Sequence, residues 1–234
     1  MRQKLNRLKK PSEAWIYDQV FSAILDQRLM PDTKLTEKDL CDVFGVSRTI
    51  IRKVLLRLSI DRVVELRPNR GAVIAAPGPE EVREIFEARR LLEDGIVAGA
   101  AEKYGPEDAR ALKEIALRER ECAHSGKPGD AIRLSGDFHL RLADIAGNRP
   151  LRELLRQLVA QTSLAISLYA PGGASMCDDN DHDRLIAAIA DSNRGLSRQI
   201  MHEHLSECER HLLLQTEQGC NDLHTVFADV MAAE

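Results

Sequence analysis

The 234 residues carry 33 Lys+Arg against 37 Asp+Glu, with 4% aromatics, which excludes a uniformly basic nucleic-acid coat and disfavours a stacking reader of single strands. The near-balance hides an asymmetry: residues 1–77 hold 15 Lys+Arg against 9 Asp+Glu, net +6, and the remainder is net −10, so only the head suits phosphate. Five scattered cysteines without a CxxC, no signal-peptide pattern and no apolar run near the roughly 20 residues of a membrane span lead us to expect a soluble, cytoplasmic protein without disulfides.

Residues 1–11 read as a basic flexible arm. Ser12 is a plausible N-cap, and Tyr17, Val20, Phe21, Ile24 and Leu25 predict a helix to about Arg28. Thr36 to Leu58 reads as helix, tight turn and second helix. Leu40, Val43 and Phe44 form the first apolar stripe; Gly45 ends the helix and Ser47 caps the next. Ile50, Ile51, Val54, Leu55 and Leu58 give the second helix an apolar back, with Arg48, Arg52, Lys53 and Arg57 as its cationic front. Two short β-type runs, Val63 to Leu66 and Ala72 to Ile74, flank Pro68-Asn69-Arg70-Gly71 and predict a hairpin wing.

The dense pattern from Leu29 to Ile74, including GVSRTIIRKVLLRL and the Arg70-Gly71 pair, resembles the DNA-binding domain of the GntR family of bacterial transcription regulators. The resemblance implies operator contacts by Lys38, Ser47, Arg48, Thr49 and Arg52, and by Arg70 and Gly71 at the wing. Arg48 and Arg52, four apart, share one helix face, and an arginine fork matches a guanine edge. At Asp61-Arg62 the family has Glu-Gly, so Arg62 must take a left-handed backbone or re-route the helix exit.

Pro77-Gly78-Pro79 is a composition break that suits a linker between a head at 12–76 and a body at 80–234. Apolar periodicity predicts a run of helices. One carries Ile85, Ala88, Leu92 and Ile96, and others carry Leu112, Ile115 and Ala116 and then Leu134, Phe138 and Leu142. A longer one begins at Asn148 with Leu151, Leu154, Leu155 and Leu158; a loop at 169–177, helices from Asp178 to Ala190 and Arg194 to about Gln215, and a terminal helix Asn221 to Met231 follow. The expected fold is mainly α: a winged helix-turn-helix with a small β-hairpin wing, then an all-α antiparallel helical bundle.

EARRLLE, FHLRLADIAGN, HDRLIAAIADSN and MHEH, in that order, resemble the FCD ligand-binding domain of the FadR subgroup. The resemblance implies a homodimer on double-stranded operator DNA, with a small organic acid as effector in the helical domain. It also implies effector-binding roles for Arg89, Ser135, His139, His182 and His204, and a divalent metal such as zinc on the three histidines. Metal-binding members carry Asp where this chain has Ser135, so a three-histidine site and a metal-free pocket both stay open. Arg89 can hold a carboxylate or pair with Glu93 one turn on. The other function class is a metal-dependent hydrolase or lyase with an accessory winged helix, for which no acidic residue stands out as a base.

Overall fold

The computed structural model describes residues 11–67, 71–170 and 180–214. The N-terminal arm, Arg70, most of the expected 169–177 loop and the expected terminal helix lie outside these residues.

Helix α1 (Glu13–Leu25) starts where the Ser12 hydroxyl accepts the Trp15 N–H at 3.1 Å, and it buries Ile16, Tyr17, Val20, Ile24 and Leu25. Each such side chain contributes roughly 1.5–3 kcal/mol. The helix stops short of Arg28 because Gln27 swings to φ 55°. Helix α2 (Glu37–Phe44) is capped by Thr36 and closed by Gly45 at φ 65°. Its stripe is narrower than expected: Leu40 is buried and Phe44 half-buried, but Val43 is 73% exposed. Helix α3 (Arg48–Ile60) buries Ile51, Val54, Leu55 and Leu58, and Ser47 occupies the N-cap position without a side-chain capping bond. Arg62 adopts the left-handed backbone, φ 55°.

The sheet has three strands where sequence suggested two. β2 (Val64–Arg67) and β3 (Gly71–Ile74) form the wing hairpin, and β1 (Lys34–Leu35) pairs with the other side of β3, Lys34 opposite Val73. All pairing is antiparallel in the order β1-β3-β2. Gly71 makes the third strand possible: its φ is +80°, and a Cβ there would lie 2.6 Å from the Leu35 carbonyl oxygen.

Residues 75–78 lead into α4 (Pro79–Lys103), followed by α5 (Pro106–His124), α6 (Pro128–Ala146), α7 (Arg149–Tyr169), α8 (Asp181–Ala190) and α9 (Arg194–His211). Proline opens α4, α5 and α6, where its missing N–H costs no helical bond. The bundle core gathers Ile96, Val97, Leu112, Phe138, Leu142, Leu155, Leu185, Ile189, Met201 and Leu205 around α4. Leu154 departs from its expected stripe and is 53% exposed.

The head is not a bead on a string. Ala160 and Leu164 of α7 belong to the same apolar cluster as Ile16, Val20, Val54 and Leu58. Beside it lies a polar junction: fully buried Asp61, at the C-terminal end of α3, accepts the Tyr17 hydroxyl at 2.7 Å and is held through both oxygens by Arg156 of α7 at 2.6 Å.

Candidate functional site

The outer surface of the head is where α3 begins. Lys38, Ser47, Arg48, Thr49 and Arg52 are all exposed there, and Gly71 at the wing is half-buried. Arg52 donates to Glu37 at 2.8 Å, which holds that carboxyl below its usual range. Arg57 does not belong to this front. Nine residues after Arg48, at about 100° per residue, it points to the opposite side of α3, where its guanidinium lies 4.1 Å above the Tyr17 ring.

The second constellation is inside the bundle. His139 on α6, His182 on α8 and His204 on α9 are each at least 96% buried, with ring centroids 5.0–5.7 Å apart. One ring nitrogen of each lies within 4.8 Å of the others. Phe138 stacks on His182 at 3.9 Å and fixes its plane.

Each imidazole is held from behind by a carboxylate on a helix. His139 Nδ1 lies 2.5 Å from Glu93 of α4, His182 Nδ1 lies 2.8 Å from Glu119 of α5, and His204 Nδ1 lies 3.2 Å from Asp181 of α8. An ionised carboxylate can only accept, so each Nδ1–H donates and each Nε2 keeps its lone pair. His182 Nε2 is buried without a hydrogen-bond partner among the described residues, while Cys208 Sγ stands 3.9 Å from His204 Nε2.

The electrostatics agree with that assignment. Burial drives the His139 pKa down to about 3, so this imidazole is neutral at physiological pH. Burial works against ionising Glu93, yet Arg89 and His139 together bring it down to about 2. Burial works against ionising Glu119 most strongly, yet its bond to His182 and the attraction of the three histidines together lower it, and the His204 hydrogen bond lowers Asp181.

Arg89 is paired with Glu93, one turn on. Its Nε donates to Glu93 at 2.7 Å and its Nη1 to Thr162 at 2.8 Å, both buried. Its Nη2 is ion-paired with the same Glu93 oxygen at 2.6 Å, without making a hydrogen bond among the described residues. Ser135 is half-buried on α6, and Asp137 turns away from His139 to pair with Arg133 at 3.0 Å.

Three helices therefore bring acids to the imidazoles that sequence reading did not connect to them. Glu119 carried a signal: it follows Leu112 and Ala116 at spacings of four and three, the buried stripe of α5. The sequence analysis connects Glu93 only to Arg89.

With this geometry in place, comparison with known proteins is informative. Residues 13–74 match the model of bacterial regulatory proteins of the gntR family, and residues 84–207 match the FCD domain. The Uxu operon regulator of Haemophilus influenzae is 30% identical over 189 residues, covering 73% of this chain and 70% of that protein. The Escherichia coli Uxu operon transcriptional regulator is 28% identical over 203 residues, covering 76% and 77%. Among solved structures, E. coli McbR/YncC superposes with a TM-score of 0.73 at 22% identity, over 83% of this chain and 93% of that one, which supports the fold. The chain belongs to the GntR family of bacterial regulatory proteins, in the FadR-like group with an FCD domain, and is a DNA-binding transcription regulator with an effector-binding domain.

Proposed function

We propose that the imidazole cluster is the sensing input of this regulator: His139, His182 and His204 hold a divalent cation such as zinc, and a small carboxylate binds beside it as effector. The observation that carries this reading is the donor set, three buried imidazoles each oriented through Nδ1 by a carboxylate. The three carboxylates are met by two guanidinium groups, buried Arg89 on Glu93 and exposed Arg184 on Asp181 at 3.3 Å, and by a neutral His139, which leaves a net negative charge for a divalent cation to offset. With Ser135 in place of an acid, three imidazoles leave a coordination position for the effector's carboxylate, and the Nη2 of Arg89, ion-paired with Glu93 but making no hydrogen bond among the described residues, supplies a second anchor.

The output is the exposed start of α3. In this reading Lys38, Ser47, Arg48, Thr49 and Arg52, with the wing residues Arg70 and Gly71, contact a two-fold operator from a homodimer in the cytoplasm. Effector binding alters operator affinity only if it favours one arrangement of the two heads. No helix of the described residues is long and apolar enough to cross a membrane. Hydrolase or lyase chemistry is set aside by family membership; in addition, all three acids near the imidazoles are engaged in holding them.

The test is metal analysis of purified full-length protein, with and without EDTA, alongside the His139→Ala/His204→Ala variant. One metal per chain is expected in the parent and little in the variant. Protein that takes up no zinc, or holds it equally in both forms, sinks the metal reading. A gel shift on the DNA upstream of the gene, repeated at rising salt, tests the output separately.

A further inference from the structure

A cleft of about 560 Å³ opens between the head and the bundle, on the side of α6 away from the imidazoles. Its size falls within the roughly 300–1,000 Å³ range of small-molecule sites. The head contributes Tyr17, Asp18, Phe21 and Arg57; the bundle contributes Asp137 and Ser163, among others. Asp137 lies two residues before His139 and so about 200° around α6, which makes this a site separate from the metal cavity.

The charges in the cleft are mostly neutralised in pairs. Arg133 is bound to Asp137 at 3.0 Å and reaches Asp130 at 4.0 Å, Arg152 is bound to Asp144 at 2.6 Å, and Arg156 to Asp61 at 2.6 Å. Two lining groups have no ion pair among the described residues: Arg57, which is stacked on Tyr17, and Asp18, which is exposed. A third group lacks a partner as well. Ser163 is only 4% exposed, yet its hydroxyl makes no hydrogen bond among the described residues. A helical serine ordinarily bonds a carbonyl one turn back; this one lines the cleft, where its hydroxyl is open to a ligand. Phe21, Leu140 and Val159 add apolar wall.

We propose that this cleft binds a small zwitterion, one carboxylate and one ammonium on a compact apolar frame, of which a free α-amino acid is the simplest case. Arg57 takes the carboxylate in its fork, Asp18 takes the ammonium, and the Ser163 hydroxyl bonds a polar atom of the ligand. A dianion meets Asp18 and Asp137, and a simple amine meets Arg57, so neither is matched to both unpaired groups. The two walls belong to different domains. Occupancy therefore stabilises the docked arrangement of head on bundle by mass action, giving the regulator an input independent of the metal cavity.

The experiment is calorimetric and thermal-shift titration of the full-length, EDTA-dialysed protein. The probes are the proteinogenic α-amino acids, their analogues lacking the amino group, and inorganic phosphate. At least one amino acid should bind below about 10 mM, its deaminated analogue about tenfold or more weaker, and Arg57→Gln and Asp18→Asn should each weaken it by about tenfold or more. Asp18→Asn changes an exposed side chain, so its loss of binding cannot be put down to misfolding. The proposal is overturned if no amino acid binds to about 10 mM, if Asp18→Asn leaves binding unchanged, or if phosphate binds as tightly as the best amino acid. Because metal has been removed, binding that appears only when zinc is restored belongs to the imidazole cavity and also overturns it.

Discussion

Arg52 is tied to Glu37 at 2.8 Å, whereas Arg48, one turn earlier on the same face, makes no hydrogen bond or ion pair among the described residues. A bidentate arginine–guanine contact contributes about 1–3 kcal/mol of discrimination, counted twice in a two-fold complex. Arg48→Ala should therefore abolish specific operator binding in a gel-shift titration while the melting temperature stays put, because the side chain is exposed. Glu37→Gln should act in the other direction on bulk DNA. Releasing Arg52 and removing a carboxylate from the phosphate-facing surface should tighten non-specific binding and narrow the gap to the operator. Inside the bundle, Glu119→Gln keeps the shape but weakens the grip on His182 Nδ1. Metal affinity should fall about 10- to 100-fold in a zinc competition titration; an unchanged affinity would show that Glu119 does not orient the ligand. Residue placement was legible in the sequence where it follows angle on one helix. Arg57 was misplaced by counting charge without counting rotation, and Glu119 was missed although it sits on the buried stripe of α5.

Elements with several turns of apolar periodicity were the legible ones, because burying a stripe is a local instruction: α1 to α9 each correspond to an expected segment, although α3 runs on to Ile60, α4 takes Pro79 from the expected linker and α7 takes Tyr169 from the expected loop. β1 was not legible, since two residues carry no periodicity and the strand exists only because Gly71 lets Leu35 come close. The docking of the head on α7 was equally hidden: Tyr17 and Asp61 stand 44 positions apart within the head, and Asp61 and Arg156 of α7 stand 95 apart. Asp61 there is fully buried, and its charge depends on two partners from different elements. Arg156→Met should leave that carboxylate without a cation and cost about 3 kcal/mol, whereas Tyr17→Phe, which removes one neutral donor, should cost about 1 kcal/mol. Denaturant melts of the two variants check the order. Equal costs would mean that Asp61 draws its compensation from elsewhere, and the junction would then not couple recognition helix to bundle.

At the scale of the whole molecule, one face of the bundle is left incompletely covered. A groove of about 610 Å³ runs between α4 and α7, its apolar lining Ile85, Ala88, Leu92, Leu154 and Leu158 interleaved with Glu81, Glu84, Gln157 and Gln161; Leu154 is 53% exposed, and Leu91, beside Leu92 in sequence, 75%. A groove rimmed by exposed leucines suits an interface, and we propose that a second copy of the chain covers it, as a two-fold operator would require. The same helices tie that face to both ends of the regulator. α4 carries Glu93 and Arg89 of the imidazole cavity, and α7 carries Arg156, which holds the recognition helix through Asp61. A change at the cavity thus has a short mechanical route to the spacing of the two heads, provided that the dimer forms there. Leu154→Glu places a charge on exposed surface of the monomer, so each chain should fold with an unchanged melting midpoint once the dimer contribution is removed by dilution. Light scattering should then report a monomer at concentrations where the parent is a dimer, and operator affinity should drop by at least about 100-fold, because one head holds only half of the contacts. A variant that stays dimeric and footprints the full operator would move the interface off the α4–α7 face, and with it the route proposed from cavity to DNA.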